Sequence, residues 1–225
     1  MLLPVSIVFP CALSIESYAS AGADVEVPRL DCPDCSAPTT FWWGYWRYVR
    51  EPGRCRKVFV RRVACKACGA THAVLPSFLL SRRRDAAPVI GAAIEQVAEC
   101  RGGARPAARA AGVPHTTARS WLRRFRHRAG AIAIAFAASA VELGGEVLVP
   151  SGEAMAAAVT AIRVAFSSAC AMPGWAGTEP WCFVSAASGG ELLATNTISP
   201  FYMLGRRRFM PPVPTTEERH GRTGT

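Results

Sequence analysis

The chain has 225 residues, half of them hydrophobic, and 26 basic against 16 acidic side chains give it a formal net charge of +10. That length holds one or two domains with a real core, and that hydrophobic content excludes a chain disordered throughout. The charge is concentrated: residues 1–28 net −3, residues 29–128 carry 20 basic and 6 acidic side chains for +14, and residues 129–225 net −1.

A contiguous basic block attracts phosphate backbones and releases their condensed counterions on binding. A basic surface that is merely solvated is the plainer alternative. The first 19 residues, MLLPVSIVFPCALSIESYA, are apolar, but they have no positive leading segment and are interrupted by Pro4 and Pro10, so they do not read as a secretory signal. They are expected to form a strand-like segment packed on the body, or to reflect a misassigned start. No run reaches the ~18–20 apolar residues of a membrane span; the nearest, Ala131–Val141, reads as a core helix. A soluble cytoplasmic protein, associated with the nucleoid, is therefore expected, with no membrane partner and no small-molecule substrate.

Cys32-Pro-Asp-Cys35 and Cys65-Lys-Ala-Cys68-Gly69 are two C-x-x-C pairs separated by 29 residues. Each pair makes a tight knuckle whose two thiolates face one metal, and Gly69 relieves the backbone after the second. Four sulfurs around Zn2+ make a closed, structural site, because no position remains for water. Disulfides are disfavoured in the cytosol, and one redox pair would open a βα unit rather than flank a strand-rich insert. Cys11, Cys55, Cys100, Cys170 and Cys182 are isolated and read as packing residues. His72, four residues past Cys68, reads as a linker or core histidine.

Between the knuckles, Thr40–Arg50 and Arg56–Ala64 are aromatic and β-branched, and Glu51-Pro52-Gly53-Arg54 is a turn. Trp42, Trp43, Tyr45, Trp46 and Tyr48 alternate with arginines that include Arg61 and Arg62. This surface could stack bases and lie along phosphates, or be the packing face of a domain too small for another core. Asp85 is an apt N-cap for a helix with Pro88 in its first turn, carrying Ile90, Ala93, Ile94, Val97 and Ala98 on one stripe. Gly102-Gly103 ends it.

Ala107, Ala108 and Ala111 then belong to a small-residue helix, Gly112-Val113-Pro114 make a turn, and a further helix starts near His115. That helix has two stripes. Ala118, Trp121, Leu122 and Phe125 recur at i, i+3, i+4, i+7 and face a core; Thr116, Arg119, Ser120 and Arg123 repeat the spacing on another face, with His115 at the start and Arg124 beside them. An apolar stripe beside a basic, hydrogen-bonding one is what a helix in a DNA major groove requires.

Ala129–Leu143 reads as an apolar helix stopped by Gly144-Gly145, and Ser151 as the cap of another bearing Met155, Val159, Ile162 and Phe166. These two either finish the core or form a homodimer interface. Trp175–Leu204 alternates around Gly189-Gly190 in the manner of a hairpin, and the Pro-rich, charged stretch from Arg206 reads as a tail. The fold class is thus α+β: a small N-terminal zinc ribbon, a trihelical helix-turn-helix and a mainly helical C-terminal region. The expected divisions are 1–28, 29–76, 77–128, 129–204 and 205–225.

The segments Val25–Cys35, Trp46–Arg50, Val60–Pro76, Val113–Phe125, Val141–Val147 and Arg206–Pro214 resemble an actinobacterial protein family, domain of unknown function 6431. That resemblance implies no activity. The order of ribbon and helix-turn-helix is similar to the N-terminal halves of insertion-sequence transposases and their accessory proteins. Strand-transfer chemistry would need paired carboxylates around divalent ions, but no Asp follows Asp85. Tyr202, near Arg206–Arg208 and His220, lies in a region too short for a tyrosine recombinase.

The expectation is a non-enzymatic, zinc-stabilised protein of double-stranded DNA, either a sequence-specific transcriptional regulator or a mobile-element accessory. Its expected metal ligands are Cys32, Cys35, Cys65 and Cys68. Its expected DNA contacts are His115, Thr116, Arg119, Ser120, Arg123, Arg124, Arg61 and Arg62. The alternatives are an interaction module that recruits a transposase or RNA polymerase, and a truncated recombinase.

Overall fold

Aromatic and β-branched runs on either side of Pro52-Gly53 build the first unit, a long hairpin. In the computed structural model, which describes residues 6–172 and 174–193, β2 (Thr39–Glu51) pairs antiparallel with β3 (Arg54–Cys65), from Thr39 opposite Cys65 to Glu51 opposite Arg54. Gly53 takes the positive φ (+70°) that closes the turn. A bulge between Phe41 and Trp43 inserts Trp42 as an extra residue.

The hairpin is half of a four-stranded mixed sheet ordered β1-β4-β3-β2. β4 (Thr71–Pro76) lies antiparallel to β3, and β1 (Ser6–Phe9) lies parallel to β4. The apolar N-terminus therefore does pack on the body, as the outer strand of this sheet. Thr71–Pro76, which reads in sequence as a mere exit from the second knuckle, is an inner strand. The short helix α1 (Ile15–Ala21), capped by Ser14, covers the sheet. Its Tyr18 is fully buried, stacks edge-on with Phe78 at 5.2 Å and donates its hydroxyl to the carbonyl of Phe59 at 3.2 Å.

Three helices follow: α2 (Ala87–Ala98), α3 (Ala104–Ala110) and α4 (His115–Glu142). Ile90, Ala93, Ile94 and Ala98 of α2 and Ala107 and Ala108 of α3 are buried, so the expected stripes do face the core. Asp85 is not the cap of α2. Ala86 occupies that position without a side-chain bond, while Asp85, buried, takes two contacts from Arg50: Nη2 donates to Oδ2 at 3.0 Å and Nε lies 2.9 Å from Oδ1. The Arg50 guanidinium gives the buried carboxylate an opposite charge, which backbone N–H groups thinned by Pro88 do not supply.

α4 runs unbroken past the expected division at 128/129. Ala129, Ile132, Ala133, Phe136 and Ala140 continue its buried face, and Gly144 (φ +78°) follows its end as expected. The C-terminal half of α4 packs along α5 (Ala154–Ala169), in which Met155, Val159 and Ile162 are buried. The α5 cap is Glu153, whose carboxylate accepts from the Ala156 N–H at 3.0 Å, and not Ser151. The expected hairpin around Gly189-Gly190 is instead α6 (Pro180–Ala187) followed by a turn. Every side chain from Trp181 to Ala187 is buried, so this segment has no solvent face to give it an alternating or helical polarity pattern. Pro180 sits at the start of that helix, where a missing N–H costs nothing.

One apolar cluster unites the sheet with all of these helices. The fold is α+β, as expected. The tail at 205–225, with Arg206–Arg208, and Tyr202 and His220 lie outside the described residues.

Candidate functional site

The two C-x-x-C pairs fold into near-identical knuckles. In the first, Ser36 N–H donates to Cys32 O and Cys32 N–H to Ala37 O, both at 2.8 Å; in the second, Gly69 N–H donates to Cys65 O at 2.9 Å and Cys65 N–H to Ala70 O at 2.8 Å. The residue after each second cysteine turns left-handed, Ser36 at φ +61° and Gly69 at φ +72°. Cys65 ends β3 directly opposite Thr39, so the hairpin's register brings the second knuckle back to the first. Thr39 Oγ1 in turn donates to Leu30 O at 2.5 Å, tying down the chain that leads into the first knuckle.

The four sulfurs all lie within 4.8 Å of one another, with Cys32 to Cys68 at 3.6 Å and Cys35 to Cys65 at 3.4 Å. Disulfides would bring two of them to ~2.05 Å; all four are free thiols. Ligands at ~2.3 Å from a tetrahedral zinc stand ~3.8 Å apart. The four thiols are therefore spaced to hold one metal ion, and the spacing is compatible with zinc.

Their environments differ. The backbone N–H of Cys68, first among several hydrogen bonds, draws the Cys65 thiol down to about 7, while burial pushes Cys32 up. His72 is buried on β4, opposite Val63, with Nε2 3.4 Å from Cys32 Sγ. It is a core histidine, as expected, and it also makes a contact that the sequence reading missed, within hydrogen-bonding distance of one of the four thiols. Strand alternation is the signal that places it, since Val63 lies two residues before Cys65. The expected packing role does not hold for Cys55 and Cys100, which are exposed; it does for Cys182, which is buried. Cys55 sits by the hairpin turn and Cys100 in the α2–α3 link, where no core is within reach.

The first turns of α4 divide as the two stripes require. Ala118, Trp121, Leu122 and Phe125 are buried; His115, Thr116, Arg119 and Arg123 are exposed; Ser120 and Arg124 are half-buried, with Arg124 Nε donating to Ser120 Oγ at 3.3 Å. Ala111–Pro114 joins α3 to α4, with Gly112 at φ +66° and 3.5 Å between its ideal Cβ position and Pro52 at the hairpin tip. The hairpin turn thus abuts the link that leads into the polar end of α4.

Arg124 belongs to a group of like charges that the sequence reading did not assemble. Burial and then the Arg124 charge hold Arg83 below its usual range, opposed by Asp85, and burial and then Arg124 do the same to Arg128. Arg61 and Arg62, paired in the expectation, are separated by the strand: consecutive residues of β3 point to opposite faces. Arg61 donates to Ala23 O at 2.7 Å and lies over the Phe41 ring; Arg62 donates to Thr71 Oγ1 at 2.8 Å on the other face. One ligand cannot engage both in the same way.

Residues 26–121 match the family described as Domain of unknown function (DUF6431). The matched span takes in both knuckles, the β2–β3–β4 portion of the sheet, α2, α3 and the first two turns of α4. The four clustered thiols and the start of the polar stripe therefore lie within one matched span, whose description assigns it no activity. No curated protein and no solved structure matches the chain. Among the described residues, no helix is long and apolar enough to cross a membrane.

Proposed function

We propose that this is a zinc-stabilised, sequence-specific DNA-binding protein, in which Cys32, Cys35, Cys65 and Cys68 hold structural Zn2+ in a ribbon and α2–α4 act as a helix-turn-helix. The observation that carries the reading is the division of α4. A helix anchored by Ala118, Trp121, Leu122 and Phe125 presents His115, Thr116, Arg119 and Arg123 outward from the most basic stretch of the chain. Arg119 and Arg123 stand one turn apart on that face, suited to base edges, while Arg124, Arg83 and Arg128 suit phosphates. The role is one of binding and not of catalysis, in a transcriptional regulator or a mobile-element accessory protein similar in layout to the N-terminal regions of transposases. Zinc would tie the two knuckles together where the open end of the β2–β3 hairpin brings them side by side.

Selection of binding sites from random duplexes with the purified full-length protein tests this. A single enriched motif is expected, and Arg119→Ala should cost ~1–3 kcal/mol and relax one position of it. Duplex binding indifferent to Arg119→Ala and Arg123→Ala together would remove the assignment. Bound metal well under one zinc per chain would remove the ribbon.

A second reading has its own observation. β2 is an edge strand that leaves Trp42, Trp43, Trp46 and Tyr48 exposed by 47–63%. Such an edge can pair with a strand of another protein, such as a transposase or RNA polymerase. Partner recruitment that survives loss of Arg119 and Arg123 but not Trp46→Ala would favour it.

A further inference from the structure

The face of the sheet that carries Arg62 holds a cavity of about 310 Å³ lined by Ser6, Tyr45, Arg47, Arg62, Ala73, Leu75, Ser81 and Arg82. Its origin is legible in the register. Arg62 on β3 stands opposite Ala73 on β4, and Ala73 opposite Ser6 on β1. Two small residues in line leave the floor low beside Arg62, whereas the next row holds the larger pair Leu75 and Val8. The wall comes from the link after β4, where Arg82 is held in a left-handed conformation (φ +58°) and Ser81 Oγ lies 3.5 Å from Ser6 Oγ. A left-handed turn at a non-glycine residue costs energy that the fold must supply.

The chemistry of this lining is one-sided. Three arginines, two serines and a tyrosine are among the residues that line the space, and no Asp or Glu is. Elsewhere among the described residues several arginines meet acids, Arg50 with Asp85, Arg56 with Glu16 and Glu51, and Arg163 with Glu95 and Glu99, whereas half-buried Arg61 meets the Ala23 carbonyl. Arg47, Arg62 and Arg82 form no ion pair among the described residues. Arg47 donates to Leu80 O at 2.7 Å and Arg62 to Thr71 Oγ1 at 2.8 Å, leaving most of their donors uncommitted to acids. Arg82 is exposed and Arg47 and Arg62 are half-buried, so the three like charges border a space open to solvent, where an anion between them would offset their repulsion.

We infer that this cavity is a binding site for a phosphate ester, held by Arg47, Arg62 and Arg82 with the hydroxyls of Ser6 and Ser81. Planar guanidinium forks and hydroxyl donors match a tetrahedral oxyanion with several acceptor oxygens. At about 310 Å³ the space exceeds a bare phosphate and is at the small end of ligand pockets, so part of the esterified group enters as well. Tyr45 on its lining has its ring 6.3 Å from that of Trp43, which stands opposite Arg62 and is exposed. Two rings beside a phosphate cradle suit a nucleotide, whose base stacks while its phosphate is held. The source is either a free mononucleotide or the 5′-phosphate of a nucleic-acid strand. The site does not rest on the reading of α4 as a DNA-binding helix.

Isothermal titration calorimetry of the full-length, metal-loaded protein at low salt tests it with three probes: dTMP, a 5′-phosphorylated thymidine trimer and the same trimer with a 5′-hydroxyl. Arg62→Gln and Arg82→Gln are the variants, each checked by its thermal midpoint, because loss of the more buried Arg47 could unfold the sheet. Binding of dTMP weakened at least tenfold by each variant supports the site with a free nucleotide as ligand. Binding of the phosphorylated trimer alone, with the same loss, supports it with a strand end as ligand. Absence of binding by all three probes at millimolar concentration, or binding unchanged in folded Arg62→Gln and Arg82→Gln, overturns it. Equal binding of the hydroxyl trimer also overturns it, because a terminal phosphate ester is then not what the cavity selects.

Discussion

Asp85→Asn is expected to destabilise the protein by about 2–4 kcal/mol. Asp85 is 3% exposed, accepts one hydrogen bond from Arg50 Nη2 at 3.0 Å and has Oδ1 2.9 Å from Arg50 Nε in an ion pair. The flanking backbone is bonded too, from Arg50 N–H to Arg84 O at 2.7 Å and from Ala86 N–H to Arg50 O at 3.0 Å. The pair therefore sits where the end of β2 meets the start of α2. Breaking a buried pair by removing one member costs ~3–5 kcal/mol, because a charge is left without its partner. Two facts move the figure. The Arg50 side chain is 40% exposed, so water recovers part of the loss, while Arg83 also loses the opposing charge that offsets Arg124. Urea unfolding followed by far-ultraviolet circular dichroism and by tryptophan fluorescence should show a lower midpoint with an unchanged slope. The thermal midpoint should fall by roughly 4–16 °C for a chain of this size. Adding Arg50→Met should restore at least half of the loss, since a neutral pair no longer carries an unmatched charge. A cost below ~0.5 kcal/mol, or a double variant as unstable as the sum of the singles, would refute the reasoning.

Ser36→Gly should stabilise the metal-loaded protein by up to ~1 kcal/mol, seen as a higher thermal midpoint, because Ser36 holds φ +61° in the position that glycine fills in the second knuckle. Gly91→Ala should cost ~1–3 kcal/mol despite a better helix propensity, since a Cβ there would lie 2.0 Å from the Trp181 ring; Gly130→Ala, with nothing within 4 Å, should gain up to ~1 kcal/mol. Both are read by urea unfolding, and equal effects would contradict the packing. Burial pushes the Cys182 thiol up to about 12, so the folded state keeps its proton above pH 9, where the unfolded chain loses it. That contribution is fully present below pH 9 and is lost as pH rises toward 12, at about 1.4 kcal/mol per pH unit. Comparing stabilities at pH 8 and 10 should show a smaller fall in Cys182→Ala than in the parent chain. In the native protein, a thiol reagent should modify exposed Cys55 and Cys100 at once and Cys182 only on unfolding.

The parts of this fold that could be read from sequence are those with a repeat long enough to carry a period. Phe41–Val49 and Val58–Val63 alternate densely enough to show two strands, and Trp121, Leu122 and Phe125 show a helix face. The thiols were legible because their ligand spacing is local within each pair. β4 was not, because its six residues include His72 and end on Pro76, and neither reads as the centre of a sheet. α6 escaped for the opposite reason: buried on every side, it has no polar stripe. The basic block ends at Arg128, and that change of composition suggests a boundary where the helix passes straight through. The arginine-lined cavity draws on all four strands and the link after β4, with 14 residues between Arg47 and Arg62 and 19 between Arg62 and Arg82. No local spacing rule connects such residues; the sheet register does.

The length of α4 has a mechanical consequence. Twenty-eight residues make a rod of about 42 Å, with no proline along it. One half is gripped by α5 and the other carries the outward arginines. A rod without a hinge cannot turn at one end only, so its roll is set by whichever grip is firmer. Any reshaping of the packing on this half of α4, by a second subunit or by substitution at Phe136, which meets Phe183 of α6, becomes an angular change at Arg119 and Arg123. The orientation of those two side chains is thus decided in part some 20 Å away, by packing that never touches what they touch.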